Sequence, residues 1–160
     1  MVAKSLALTI MVLALFAGRA AAQMPNPYGA PIPLDTAKKA VAAAIAEARK
    51  NNWNLAVAVT DTGGQLVYFE RMDNTQHGSI NVAIGKARSA ALYKRPSKVW
   101  QDAVASGGGG LRVLGLEGAV PLDGGLPLIV DGKIVGGIGA SGATGEQDAQ
   151  CAKMGVDAVK

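Results

Sequence analysis

The sequence predicts a single α/β domain of the α+β kind, a mostly antiparallel sheet shielded by helices. Three observations point there. Two pairs of β-rich segments are each joined by a tight turn, Asp61-Thr62-Gly63-Gly64 in the first and Asp131-Gly132 in the second. Segments with apolar residues three and four apart precede, separate and follow these pairs. A chain of 160 residues, 49% of them hydrophobic, suffices for one buried core. Strands that arrive as hairpins run antiparallel and leave apolar faces for helices to cover.

The elements follow in order. Residues 34–50 read as a helix with Ala37, Ala40, Val41, Ala44, Ile45 and Ala48 on one face. Asp35 suits its entrance as a cap and by charge, and Asn51-Asn52 ends it. Residues 54–70 form the first hairpin, with strands at 55–60 and 65–69. A second helix spans 76–93, with an apolar stripe of Ile80, Ala83, Ile84, Ala87 and Ala91. Pro96 opens a third, shorter helix to about Ala105, since proline is tolerated in a first turn. Residues 107–125 are glycine-rich and suit a loop that orders on assembly, with room for a further strand. The second hairpin pairs 126–130 with 133–138. A glycine-rich connection over 139–145 leads to a last helix at 146–160, with Ala149, Ala152, Val156 and Val159 on one face and Thr144 with Gln147 as a capping box.

The N-terminus reads differently. Lys4, an apolar run to Phe16 and the small residues Ala20, Ala21 and Ala22 have the order of a secretory signal over residues 1–22. The run is shorter than the roughly 20 residues that span a bilayer, so no stable membrane insertion is expected. The expected location is periplasmic or secreted. Residues 23–33, with Pro25, Pro27, Pro31 and Pro33, form an extended arm across the surface or onto a neighbouring subunit. Cys151 is the only cysteine, so no intrachain disulfide forms; the thiol reads as a buried structural one.

The formal charge of +4 includes Lys4 and Arg19 of the signal, and the remaining basic residues are scattered. No stripe suited to a phosphate backbone results, and only 4% of residues are aromatic. Both facts argue against nucleic acid as a partner.

The chemistry-bearing residues are few. His77 is the only histidine, which excludes a multi-histidine zinc site. One imidazole suffices as an axial ligand to haem iron, imidazole also serves as a general base, and beside Asn74, Thr75 and Gln76 His77 equally reads as a polar helix-entrance residue. Arg71 and Asp73 lie between a strand and the second helix, while Lys86 and Arg88 lie on that helix off its apolar stripe. Together they suggest a cluster that holds an anion, or ordinary solvated charges. Gly137-Ile138-Gly139-Ala140-Ser141-Gly142 has the letters of a dinucleotide fingerprint. That motif needs a parallel βαβ unit and a later acid, and neither is available here. The better reading is local: the glycines allow tight backbone turns, either as structure alone or with Gly139, Ser141, Gly142 and the free N–H groups at the last helix start holding a small anion or carboxylate. Glu146 and Asp148 at that start are favoured by the helix field, and with Asp73 form a conceivable metal set.

Four pieces carry a family resemblance: Val59-Thr60-Asp61 with Gly63-Gly64; Arg71-Met72-Asp73; Gly125-Leu126-Pro127-Leu128 with Asp131-Gly132; and Val135-Gly136 through Ser141-Gly142, then Glu146-Gln147-Asp148. In this order and spacing, residues 34–160 resemble the GlcG/HbpS-like haem-binding family and the C-terminal domain of PduO-type proteins. The resemblance implies a profilin-like layered domain with a central sheet of about five strands. It implies haem as cofactor and a homo-oligomer, from dimer to octamer. His77 is the preferred iron ligand on chemical grounds, with Arg71, Lys86 or Arg88 near the haem propionates. Two other readings stand beside this one. The first is an enzyme acting on a carboxylate-bearing substrate such as a hydroxy acid, through Arg71, Asp73, Ser141 and Glu146. The second is a non-catalytic oligomeric module.

Overall fold

The computed structural model describes residues 26–160. The signal sequence expected over residues 1–22 lies outside them, as does the start of the arm. The described elements are helix α1 (Leu34–Lys50), strands β1 (Ala56–Thr60) and β2 (Leu66–Arg71), helices α2 (Ser79–Tyr93) and α3 (Lys98–Ala105), a 3₁₀ helix (Gly108–Gly115), strands β3 (Gly125–Val130) and β4 (Lys133–Ser141), and helix α4 (Gly145–Asp157). The four strands form one antiparallel sheet in the order β2-β1-β4-β3. The two hairpins therefore meet through their β1 and β4 strands, with Ala56 opposite Ser141 and Thr60 opposite Gly137. The sheet has four strands rather than about five, because residues 107–125 yield a 3₁₀ helix and irregular chain instead of a strand.

β1 is buried along its whole length because both its faces are covered. Val57 and Val59 join Leu128, Ile138 and Ala140 against α1 and α4. Ala56 and Ala58 face the other way, against Ala83 and Ala87 of α2. The domain thus has three layers, with α1 and α4 on one side of the sheet and α2 on the other. The α1 stripe matches its expected residues, from Ala37 to Ala48. Asp35 is in the first turn, but the cap position is Pro33 and no side chain caps it. The Thr144–Gln147 capping box of α4 forms with both reciprocal bonds. Cys151 is fully buried, and its thiol is pushed up to about 12, first by burial and then by the Glu47 and Asp148 carboxylates.

The glycines of β4 explain how α2 sits so close. A Cβ at Gly137 would lie 2.2 Å from the Ala87 carbonyl oxygen, and one at Gly139 would lie 2.2 Å from that of Ala83. Alternate residues share a sheet face, so glycine at 137 and 139 makes a flat track for the α2 backbone. The letters of the nucleotide fingerprint are therefore a packing device on an antiparallel strand.

The N-terminal arm packs on its own chain. Beyond Thr60, β1 has ended and β4 continues with an open side. Tyr28 fills that side in a parallel bridge to Ile134. Gly29 N donates to Ile134 O at 2.8 Å, Ile134 N to Pro27 O at 2.8 Å, and Ile32 N to Val135 O at 2.9 Å. Val135 is skipped in the β3–β4 register, a bulge that frees its carbonyl for the arm. The Tyr28 hydroxyl donates to carbonyls of Ala91 and Leu92 at 3.0 Å, and Lys94 Nζ lies 4.1 Å from its ring centre.

Candidate functional site

One end of the sheet gathers polar side chains from four directions. β2 ends at Arg71, β1 begins after Asn54 and Leu55, β4 ends at Ser141, and α1 ends near Arg49. Arg49, Asn54, Glu70, Arg71, Met72, Asp73 and Asn74 line a shallow groove of about 310 Å³. Asn54 and Asn74 also border an adjoining hollow with Trp53, Gln76 and Gly142. Asn74 shapes the bend between β2 and α2 by adopting a left-handed conformation at φ 63°, which asparagine tolerates better than most residues. The groove has mixed charge: the closest cation–anion approach along it is Arg49 Nη2 to Glu70 Oε1, at 4.0 Å. Apolar surface comes from the half-buried Trp53 and Met72.

His77 is exposed in the turn before α2 and meets this groove through Arg71, which lines it. Its Nδ1 lies 3.2 Å from Arg71 Nη1. A guanidinium only donates, so the contact is a hydrogen bond when Nδ1 bears its lone pair. The structure thus brings together Arg71, Asp73 and His77, with Gly142 at the edge of the adjoining hollow. Sequence reasoning missed Arg49, Asn54 and Asn74. The last two were visible only as polar residues flanking strands, and Arg49 as an ordinary final-turn cation.

The other expected residues lie elsewhere. Lys86 is a correction. It is buried, not solvated, with its Nζ 2.8 Å from Asp148 Oδ2 and 2.9 Å from the Ala140 carbonyl. Burial pushes the Asp148 carboxyl above the usual range, opposed by Lys86 and by the N–H groups of Ala143 and Gly142. Asp148 thereby occupies the turn expected to hold an external anion. Its Oδ1 accepts from Ala143 N at 3.0 Å, and the N–H groups of Thr144 and Gln147 are used by the capping box. Those amides are accordingly not free for a ligand. Gly139 and Ser141 belong to β4 rather than to a connecting loop, and Ser141 Oγ meets Ser79 Oγ at 3.3 Å in a buried contact. Gly142 is required by close approach, since a Cβ there would lie 2.2 Å from the Asn54 carbonyl oxygen. Arg88 is exposed beside the first hairpin turn, where a Cβ at Gly64 would touch its Cγ. Glu146 is exposed at the start of α4. Among the described residues no three of His, Cys, Asp and Glu gather as a metal site, so Asp73, Glu146 and Asp148 do not converge.

A three-layer domain with an imidazole and a guanidinium paired at one sheet end defines a structural class first. Comparison with known proteins then places the chain. It belongs to the HbpS-like family, described as haem degrading proteins, which matches residues 32–157. Protein GlcG of Escherichia coli K12 is 42% identical over 101 residues, 63% of this chain and 74% of GlcG. A 15.0 kDa protein from the dhaT-dhaS intergenic region of Citrobacter freundii is 35% identical over 130 residues, 80% of this chain and 92% of that protein. Among solved structures, a double mutant of HbpS from Streptomyces reticuli superposes with a TM-score of 0.76 at 28% identity, covering 90% of this chain and 95% of HbpS. A PduOC complex with haem superposes with a TM-score of 0.73 at 26% identity, covering 81% of this chain and 96% of PduOC. The expected cofactor agrees with the family and with that haem complex.

Proposed function

We propose that this chain is an exported haem-binding protein, acting in haem or iron handling or sensing outside the cytoplasm. The observation that carries the reading is membership of a haem-associated family, together with the exposed His77 imidazole that touches Arg71 of the groove. The region offers the donors that haem needs one by one, and the groove also carries the Glu70 and Asp73 carboxylates. His77 would hold the iron, Arg71 and Arg49 would hold the propionates, and Trp53 and Met72 would give apolar contact. Bound haem would supply an iron centre with an open or exchangeable coordination position. The chain's own residues bind and orient: His77 through a ring nitrogen, the arginines through their N–H forks. Lys86 has no part in this, since Asp148 holds it inside the domain.

Hemin titrated into the purified protein is expected to shift its Soret band with saturation at one equivalent per chain. His77→Ala is expected to abolish or change that shift. A His77→Ala spectrum identical to that of the unsubstituted protein removes His77 from the role. No shift in either protein removes the function. Export predicts a secreted or periplasmic product whose N-terminus begins near Gln23, checked by fractionation and mass spectrometry.

Self-association belongs to the same proposal, as a homo-oligomer between dimer and octamer. Leu111 and Leu114, at 48% and 65% exposure, are three apart on the 3₁₀ helix and so share a face. Burying such residues between copies removes apolar surface from water. Light scattering after gel filtration checks it, and Leu114→Glu is expected to lower the mass.

A further inference from the structure

We infer that the basin at this end of the sheet binds a small neutral ring of hydroxyls, a monosaccharide, with Trp53 beneath the ring and asparagine amides around its edge. The inference goes beyond the haem reading and needs neither His77 nor iron. The groove of about 310 Å³ adjoins hollows of about 360 and 390 Å³. Each is at the lower end of the range of small-molecule sites. The walls are shared: Asn54 borders all of them, while Asn52 and Trp53 border the two outer hollows.

The argument begins with the amides. Asn52, Asn54 and Asn74 are exposed, and none makes a side-chain hydrogen bond to a described residue. Asn51 beside them is different: its Nδ2 donates to the Glu47 carbonyl at 2.8 Å and to Glu47 Oε1 at 3.0 Å. A carboxamide carries N–H donors and a carbonyl acceptor in one plane. A hydroxyl donates and accepts, so neighbouring ring hydroxyls engage both halves of that fork. A carboxylate engages only the N–H half, and an ammonium only the carbonyl. The charges of the groove do not single out an ion. Arg49 and Arg71 balance Glu70 and Asp73, and Arg49 Nη2 already lies 4.0 Å from Glu70 Oε1.

Trp53 supplies the apolar half. It is half-buried, packs against the core and also borders the two outer hollows. Its indole N–H has no acceptor among the described residues, whereas that of Trp100 donates to Ser89 Oγ at 3.2 Å. A sugar ring carries C–H groups on its faces and hydroxyls at its edge, so an indole covers a face while amides reach the edge. The frame is fixed beforehand. Asn52 and Asn74 hold left-handed φ values of 58° and 63°, and the Gly142 backbone lies so close to the Asn54 carbonyl that a Cβ would come within 2.2 Å of it. A site formed before its ligand arrives loses little entropy on binding.

The test titrates haem-free, ¹⁵N-labelled protein with D-glucose, D-galactose and D-mannose. At least one hexose is expected to move the Trp53 indole and Asn54 amide signals saturably, with a Kd on the order of 1 mM. The buried Trp100 indole should stay in place as the internal control. Glycerol has hydroxyls but no ring, and glycine has charge but no hydroxyl. Each is expected to bind about tenfold more weakly. Asn54→Ala is expected to weaken the hexose about fivefold with an unchanged Tm, since this amide bonds no described residue. Trp53→Ala is expected to weaken it about tenfold, and Trp53→Leu, which refills the core side without an aromatic face, replaces it if the fold is lost. No saturable shift with any of the three hexoses overturns the inference. So does glycerol or glycine binding as tightly, or a hexose affinity that Asn54→Ala leaves unchanged. Hemin is absent throughout, so failure here leaves the haem reading standing, and failure of the hemin titration leaves this site standing.

Discussion

Two cation-containing pairs sit about the same sheet and do opposite things. Lys86 and Asp148 lie inside the domain, 3% exposed at each side chain, and bind α2, β4 and α4 together. Arg71 and His77 lie at the surface, joined by one contact. In the first pair every strong hydrogen-bonding demand is met by the chain itself: a lysine, a carbonyl, a carboxylate and turn N–H groups. In the second, both side chains are exposed and share a single hydrogen bond among the described residues. The comparison teaches that charge alone does not mark a binding site; what marks it is unspent hydrogen-bonding capacity beside open space.

The sharpest test of this contrast is Lys86→Ala, which strands the Asp148 carboxylate in the interior. A loss of about 3–5 kcal/mol in unfolding free energy is expected from denaturant titration. Lys86→Met with Asp148→Asn should recover part of that loss, because the stranded charge is gone while the Ala143 N–H keeps its acceptor. Gly139→Ala comes next. Its Cβ would press on the Ala83 carbonyl and push α2 off the sheet, for a loss of about 1–3 kcal/mol or more on the same measurement. Thr144→Ala removes the capping box beside Asp148 and is expected to cost about 1 kcal/mol, read as a fall in midpoint with unchanged slope. Arg71→Met closes the series. On an exposed pair it should move stability by less than about 0.5 kcal/mol while changing hemin affinity. A large stability loss there would erase the distinction between the two pairs.

Much of the scaffold was legible because its signals are local. The α1 stripe, the Asp131-Gly132 turn and the Thr144–Gln147 box each depend on residues within a few positions. Asp131 and Gly132 take φ values of 48° and 70°, both left-handed as the short hairpin turn demands. The Lys86 burial was hidden because its partner is 62 residues away and the helix pattern gives lysine an outward place by default. β4 runs three residues past its expected end, since glycines written as a loop are a strand surface for α2. The groove was half legible. Arg71, Asp73 and His77 stand close in sequence, whereas Arg49, Asn54 and Gly142 come together only through the register of β1 with β4 and the placement of α1.

The strap formed by residues 27–32 has a consequence for handling the protein. It occupies peptide groups on β4 that β1 is too short to reach. A version trimmed to begin at Pro33 would leave the amide of Ile134 and the carbonyls of Ile134 and Val135 unsatisfied on a raw sheet margin. Such a margin can recruit a strand from another molecule, so shortened preparations should clump where the longer ones stay dispersed.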